Sequence, residues 1–297
     1  MSAPAPARGG VRVVARDARF QQWQALLGSR RKRHRAGAML VGGVRPVSLA
    51  LEHGWKVREL LLTEERALSR WAYAVLDDPA VAAAPVHAVT PDLMAELGEK
   101  DEDVPELLAV VGLPDDDLDR VPVTGDDGEA LLVVVLDRPT SPGNLGSVVR
   151  SADALGAHAV LVVGHAADPY DPRAVRSSTG SMFALPVVRV GPPADVLAWV
   201  ERLRAGGTPV ALVATDEDGD APLDAVDLTG PTLLLAGNET RGLSTAWREA
   251  ADVTASIPMR GAASSLNVAA ATTVVLYEAS RQRGGSGAAS ASASRAR

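Results

Sequence analysis

Three short segments in the C-terminal half carry residue types suited to handling a polarised reactant. The first, Asp137-Arg-Pro-Thr-Ser-Pro-Gly143-Asn144-Leu-Gly146-Ser-Val-Val-Arg150, follows an apolar run and combines an amide with a guanidinium. The second, Leu233-Leu-Leu-Ala236-Gly237-Asn238-Glu239-Thr-Arg-Gly242, places a carboxylate directly after Gly-Asn, where its charge must be paired or solvated. The third is Ile257-Pro-Met259-Arg-Gly-Ala-Ala-Ser264-Ser265-Leu266-Asn267-Val. Each alone fits a capped helix start, with Asn144 capping the first helix and Ser264 or Ser265 the last. Together they offer an arginine, a glutamate, asparagines and a serine. A guanidinium can favour developing negative charge, while amides and hydroxyls orient a polar group.

The surrounding pattern says how these segments could meet. Leu131–Leu136 is a continuous apolar run of the kind buried on both faces of a sheet. Further strands are expected at Ala159–Val163, Val210–Val213, Thr232–Ala236 and Val253–Ile257, with helices around 145–155, 193–204 and 266–282. Such alternation implies a parallel sheet with helices on both faces, and ligands bind at the carboxyl ends of its strands. All three segments sit at such ends. Arg150 lies six residues past Asn144, under two helical turns, and is expected to point to the same end. Upstream, residues 17–28 read as a helix with Phe20, Trp23, Leu26 and Leu27 on one face. An apolar segment at 38–42, a helix from Pro46 to His53 and a strand at Val57–Leu62 follow, and this half ends in Leu107–Val111. The expected organisation is a flexible start (1–16), a small α/β domain (17–111), an acidic linker (112–129), a larger α/β domain (130–283) and a disordered tail (284–297).

Charge is divided unevenly along the 297 residues, whose formal net charge is −7. Residues 1–35 hold nine Lys/Arg and one acid, a local +8 that includes Arg30, Arg31, Lys32, Arg33 and Arg35. Residues 92–129 hold fourteen acids against two bases, a local −12 expected to stay in solvent. The basic segment can hold a phosphate backbone by counterion release, and His34 lies within it. There are no cysteines, which excludes disulfides and thiolate chemistry, and the opening residues lack the apolar run of a secretory signal. No run is long enough for a membrane helix, and the absence of cysteine leads to the expectation of a reducing, cytoplasmic compartment. The five histidines are scattered without metal-ligand spacing, so no metal is expected. Neither Gly-x-x-x-x-Gly-Lys-Ser/Thr, nor Gly-x-Gly-x-x-Gly after a strand, nor Gly-x-Ser-x-Gly occurs, which argues against nucleotide hydrolysis, Rossmann cofactors and serine-elbow hydrolysis.

Asn144-x-Gly-x-x-x-Arg150, Gly237-Asn-Glu-x-x-Gly242 and Ile257-Pro-Met-x-x-x-x-Ser265-Leu-Asn-Val268, in that order, resemble the three signature motifs of SPOUT RNA 2′-O-ribose methyltransferases of the TrmH/SpoU type. Asp171-Pro-Arg-Ala-Val-Arg176-Ser-Ser-Thr-Gly180 resembles the segment between motifs one and two. The N-terminal part resembles the family's ribosomal-protein-like RNA-binding domain through Val44-Arg-Pro-Val-Ser-Leu-Ala-Leu-Glu-His-Gly and Pro105-Glu-Leu-Leu-Ala-Val-Val. The resemblance implies a deep trefoil knot, S-adenosylmethionine as cofactor, and a homodimer whose active sites are completed across the interface. It implies cofactor contacts at Gly237, Ile257, Met259 and Leu266. It also implies that Arg150 orients the ribose 2′-oxygen or an adjacent phosphate, held in place by Asn144 and Glu239, with Ser265 and Asn267 positioning ribose and cofactor. RNA would be met by Arg30, Arg31, Lys32, Arg33 and Arg35. Ribosomal RNA is the expected substrate, because an extra domain suits a structured target. The alternatives are a transfer-RNA enzyme and a non-catalytic RNA-binding or ribosome-assembly protein with the same fold.

Overall fold

The computed structural model describes residues 9–98, 104–125, 128–263 and 265–294, with side chains described as far as Gly284. Of the features expected above, residues 1–8 of the basic start, parts of the acidic stretch (99–103 and 126–127), Ser264 and residues 295–297 lie outside this description. The chain packs as two units. One runs to Asp115 and also includes Tyr170–Ala184; the other comprises Asp116–Pro169 and Leu185–Arg297.

The N-terminal unit contains β1 (Arg12–Val13), α1 (Ala18–Gly28), α2 (Arg30–Ala36), β2 (Ala38–Gly42), α3 (Val44–Glu52), β3 (Val57–Thr63), α4 (Arg70–Asp77), β4 (Val86–Val89), α5 (Pro91–Gly98) and β5 (Leu107–Gly112). Its sheet order is β1-β4-β3-β5-β2, with β5 antiparallel to both neighbours. Helix α1 begins because the Asp17 carboxylate accepts the Phe20 N–H at 2.9 Å. It buries Phe20, Trp23 and Leu26 against Leu40, Leu61, Leu108 and Val110. Ser29 ends α1 and caps α2 through the Lys32 N–H (3.3 Å), and Gly37, at φ +57°, closes α2 in the left-handed region. The basic run is therefore an ordered helix. Arg30, Arg31, Lys32 and Arg35 are exposed. Arg33 is not: it is 2% exposed and its guanidinium donates to the Leu26 and Leu27 carbonyls at 2.8 and 2.9 Å. The expected RNA contact by Arg33 is corrected on this ground, since its donors fasten α2 to the end of α1.

The second unit contains β6 (Leu132–Asp137), α6 (Pro142–Ala154) and β7 (Ala159–Val163). After α7 (Pro172–Ser178) and α8 (Ser181–Ala184), which pack with the first unit, come β8 (Val187–Val190), α9 (Pro193–Ala205), β9 (Ala211–Thr215) and β10 (Ala221–Pro222). The chain continues through β11 (Thr232–Ala236), α10 (Thr245–Ala250), β12 (Val253–Ser256) and α11 (Val268–Ser294). Helix α11 runs past the expected end at 282 into the stretch read as tail; no proline interrupts it there. The seven strands are parallel in the order β10-β12-β9-β11-β6-β7-β8. Strands β6 and β11 are apolar throughout except Thr232 and Asp137, and every residue in them is buried. The acidic connector is partly fastened. Asp116 pairs with Arg189 and also accepts the Arg189 N–H (3.2 Å), while Val121 joins the core.

The strand order decides where a ligand can sit. From β6 the chain proceeds outward through β7 and β8, then returns to the opposite flank of β6 for β9 and β11. The direction of winding reverses at the β6–β11 pair, where the register sets Ala236 beside Leu136. Helices diverge from such a point and leave a crevice beyond the carboxyl ends. The segments after Leu136 and after Ala236 are thus neighbours at the rim of one crevice, a hundred residues apart in sequence.

Candidate active site

The turn after β11 is held tightly. Asn238 and Gly242 exchange two backbone hydrogen bonds of 3.0 Å. The Asn238 side-chain oxygen accepts from the Thr240 and Arg241 N–H groups (3.0 and 3.1 Å), and its amide donates to the Arg138 carbonyl at 2.6 Å. Gly237 is required sterically. A Cβ there would meet the Gly242 carbonyl carbon and the Leu243 nitrogen at 2.6 Å, both of them backbone atoms. The buried Asp137 carboxylate, ending β6, accepts from Arg138 (3.0 and 2.9 Å) and from the Ser244 N–H (2.7 Å), tying the far side of the same turn to the central strand.

Glu239 joins this turn to the start of α6. One carboxylate oxygen accepts the Thr140 N–H (3.1 Å) and hydroxyl (2.9 Å); the other accepts the Ser141 N–H (3.2 Å) and the Asn144 amide (3.2 Å). Partial burial pushes its pKa up, but hydrogen bonds from its own N–H, from Thr140 and from Asn144 outweigh that and hold it below the usual glutamate range. Glu239 is therefore ionised at neutral pH, beside the positive end of α6. Both oxygens are already engaged, so it acts as a clamp and not as a base.

Helix α6 is capped by Ser141, whose hydroxyl accepts the Asn144 N–H at 3.3 Å, in place of the expected Asn144. That leaves the Asn144 side chain to bridge. Its amide donates to Glu239, and its oxygen accepts the Asn267 amide at 3.2 Å. Asn267 in turn caps α11 by accepting the Ala269 N–H at 2.9 Å. Glu239–Asn144–Asn267 is thus a continuous chain joining all three motif segments. Helices α6 and α11 also meet through the Ser151 and Thr273 hydroxyls at 2.7 Å.

Arg150 does not join that chain. Six residues at 3.6 per turn rotate it about 120° from Asn144 around the helix axis. It is exposed and its side chain makes no hydrogen bond among the described residues, so the expectation that Asn144 and Glu239 hold it is corrected. Ser265 is likewise exposed and unbonded among the described residues. Ile257 and Gly237 are half-buried at the rim, and Met259 and Leu266 are each 39% exposed. Residues 259–263, 265 and 266 make no hydrogen bond among the described residues, and all are exposed, so polar groups and the apolar Met259 and Leu266 side chains are accessible together. That combination fits a purine-bearing cofactor, which needs edge-on hydrogen bonds and an apolar face. Asp137, Arg138 and Thr140 were not anticipated as site residues; of these only Asp137 carried a signal, a charge ending an apolar run. Among the described residues no cluster of His, Cys, Asp and Glu could hold a metal ion, and no helix is long and apolar enough to cross a membrane.

Comparison with known proteins gives this layout a family. The SpoU rRNA Methylase family model matches residues 131–277, and that of the SpoU L30e-like domain matches 17–109. A Streptomyces viridochromogenes protein named 23S rRNA (uridine(2479)-2′-O)-methyltransferase is 61% identical over 272 residues, covering 92% of each chain. The chain belongs to the SpoU rRNA methylase family. Another member, the 23S rRNA (guanosine(2553)-2′-O)-methyltransferase RlmP of Bacillus subtilis, is 28% identical across 89% of this chain and 96% of its own. The crystal structure of the SpoU methyltransferase AviRb from Streptomyces viridochromogenes with its cofactor AdoMet superposes with a TM-score of 0.84. It is 61% identical and covers 90% of this chain and 98% of that one. In this SpoU family member the three motif segments are the ones gathered at the β6–β11 crevice.

Proposed function

We infer that this chain transfers a methyl group from S-adenosylmethionine to a ribose 2′-hydroxyl of ribosomal RNA, with a uridine of 23S rRNA as the acceptor named for its Streptomyces relative. The observation that carries the reading is the Glu239–Asn144–Asn267 chain, which brings three distant motifs to one rim. The cofactor supplies an electrophilic methyl on a sulfonium. The loops around Gly237 and Ile257–Asn267 would hold it, with Met259 and Leu266 against its apolar face and the unbonded backbone of 259–263 at its polar edges. The C-terminal segments would do this as a trefoil knot. Glu239, Asn144 and Asn267 fix those loops relative to α6, and Ser265 positions the ribose. Arg150, always protonated, orients the 2′-oxygen and stabilises the charge it develops as the C–O bond forms. The released proton passes to phosphate or water.

The N-terminal unit, through Arg30, Arg31, Lys32 and Arg35, would recognise folded RNA by its backbone and by splayed bases. The protein would act in the cytoplasm as a homodimer, the exposed Arg150 serving a site completed by the second copy; sedimentation of the purified protein checks the dimer. Activity is tested by incubating protein, labelled S-adenosylmethionine and 23S rRNA, and mapping 2′-O-methylation by digestion and mass spectrometry. Arg150→Ala should abolish turnover while cofactor binding persists. Retention of more than about a tenth of turnover, worth only ~1.4 kcal/mol of barrier, refutes the role given to Arg150.

A further inference from the structure

The N-terminal unit contains a groove of about 440 Å³ between α1, α2 and the sheet. Four alanines line it (18, 25, 36 and 38), so its room is the volume that larger side chains would fill. Leu26, Val110 and Trp23 lie beneath it, none more than 6% exposed, and Lys32, Arg35 and Arg58 are also in its lining. Lys32 and Arg35, three apart on α2, share a helix face. The buried Arg33 sets the roll of that helix by holding the Leu26 and Leu27 carbonyls, and Arg58 braces its end by donating to the Ala36 carbonyl at 2.7 Å. The acid of the lining, Glu59, is engaged by the Trp23 indole N–H at 3.0 Å and by His87 at 3.3 Å.

A slot of this volume suits a molecule of nucleotide size. Its cations suit a phosphate, the space left by its alanines suits a flat base, and the Gln21 and Gln22 amides in its lining can read a base edge. A duplex presents a convex surface and cannot enter such a concavity, whereas a base splayed from a loop can. We propose that this groove receives one unpaired nucleotide of the RNA substrate, its base against the alanine-lined floor and its phosphate at Lys32, Arg35 and Arg58. The assignment rests on the inferred RNA activity and adds to it a specific anchoring point.

The test compares wild-type protein with Ala25→Phe, which fills the groove, and with Lys32→Gln/Arg35→Gln, which alters exposed residues only. Methyl transfer to 23S rRNA is measured for KM and kcat, and 4-thiouridine-substituted RNA is photocrosslinked and the adducts mapped. Ala25→Phe should raise KM for RNA about ten-fold, equivalent to ~1.4 kcal/mol of lost binding, and more than it lowers kcat. It should also remove the adducts on α1, α2 and β3. The double charge variant should lower the log–log salt slope of RNA binding by about two, one per cation. S-adenosylmethionine titration of each variant checks the second unit, and unchanged near-ultraviolet circular dichroism from buried Trp23 checks the first. An unchanged KM and adduct pattern in Ala25→Phe, or an unchanged salt slope in the charge variant, overturns the proposal while leaving the methyltransferase reading in place. Uridine monophosphate binding as tightly as RNA would make this a mononucleotide site and also overturn it. A wild-type protein that methylates no RNA refutes the inferred activity and the proposal with it.

Discussion

Replacing Glu239 with glutamine keeps the shape of the clamp and reverses half of its chemistry. One carboxylate oxygen becomes an NH2 facing donors, so two of the four hydrogen bonds from Thr140, Ser141 and Asn144 are lost. Glu239 is exposed, so water re-solvates the released donors, and each loss falls at the low end, about 0.5–1 kcal/mol. Removing a negative charge beside the N-terminus of α6 adds about 0.3–1 kcal/mol. The expected loss is about 1–3 kcal/mol, or a fall in Tm of about 5 °C for a unit of this size. If the looser turn must be reordered by ligand, S-adenosylmethionine affinity falls about ten-fold for each 1.4 kcal/mol. The sign of the pH dependence follows from the lowered pKa. The contribution of Glu239 is complete above the usual glutamate value of 4.5 and is lost as pH falls through its lower value in the folded protein. Scanning calorimetry of both proteins should show a constant gap at pH 6–8 that narrows below about pH 4.5. Equal Tm values at pH 7, or a gap undiminished at the most acid pH where both still fold, refute the clamp.

Asn267→Ala should remove both the cap of α11, worth about 1 kcal/mol, and the bridge to Asn144; calorimetry and a raised KM for cofactor report the two losses separately. Gly237→Ala should abolish measurable cofactor binding, because its Cβ collides with backbone at 2.6 Å and the turn must open; an unaltered titration contradicts that. Arg33→Ala and Arg31→Ala, adjacent in a run of like charges, should behave oppositely. The first lowers Tm by several degrees as one buried and one part-buried carbonyl lose their donor, and the second leaves Tm alone while lowering the salt slope of RNA binding by about one.

The pattern of residues carried much of this fold, and the exceptions have physical reasons. Ala159–Val163 and Thr232–Ala236 were bounded residue for residue, because strands buried on both faces read as unbroken apolar runs. Strand β8 escaped notice because it is four residues long and includes Arg189. Three strand-end turns around Asn144, Glu239 and Asn267 were enough to anticipate their meeting. The donors that fix Glu239 were not legible, since two of them are backbone N–H groups of Thr140 and Ser141, and any residue but proline supplies one. Arg33 was hidden differently. Among neighbours of the same charge only its phase on the helix marks it as buried, and a charge count has no phase.

The grouping of Tyr170–Ala184 with the N-terminal unit has a consequence for how the protein is made. Within that unit Trp55 donates to the Phe183 carbonyl at 2.9 Å and Arg45 to the Thr179 carbonyl at 3.0 Å. A chain emerging from the ribosome at roughly 5–20 residues per second ordinarily folds its first domain before the second is complete. Here the five strands and the apolar core of the first unit are complete by Gly112, whereas its two hydrogen bonds to Thr179 and Phe183 can form only after β6, α6 and β7 have appeared. A gene fragment ending at Asp115 would therefore keep the whole sheet and core but leave the Arg45 guanidinium and the Trp55 indole N–H to water.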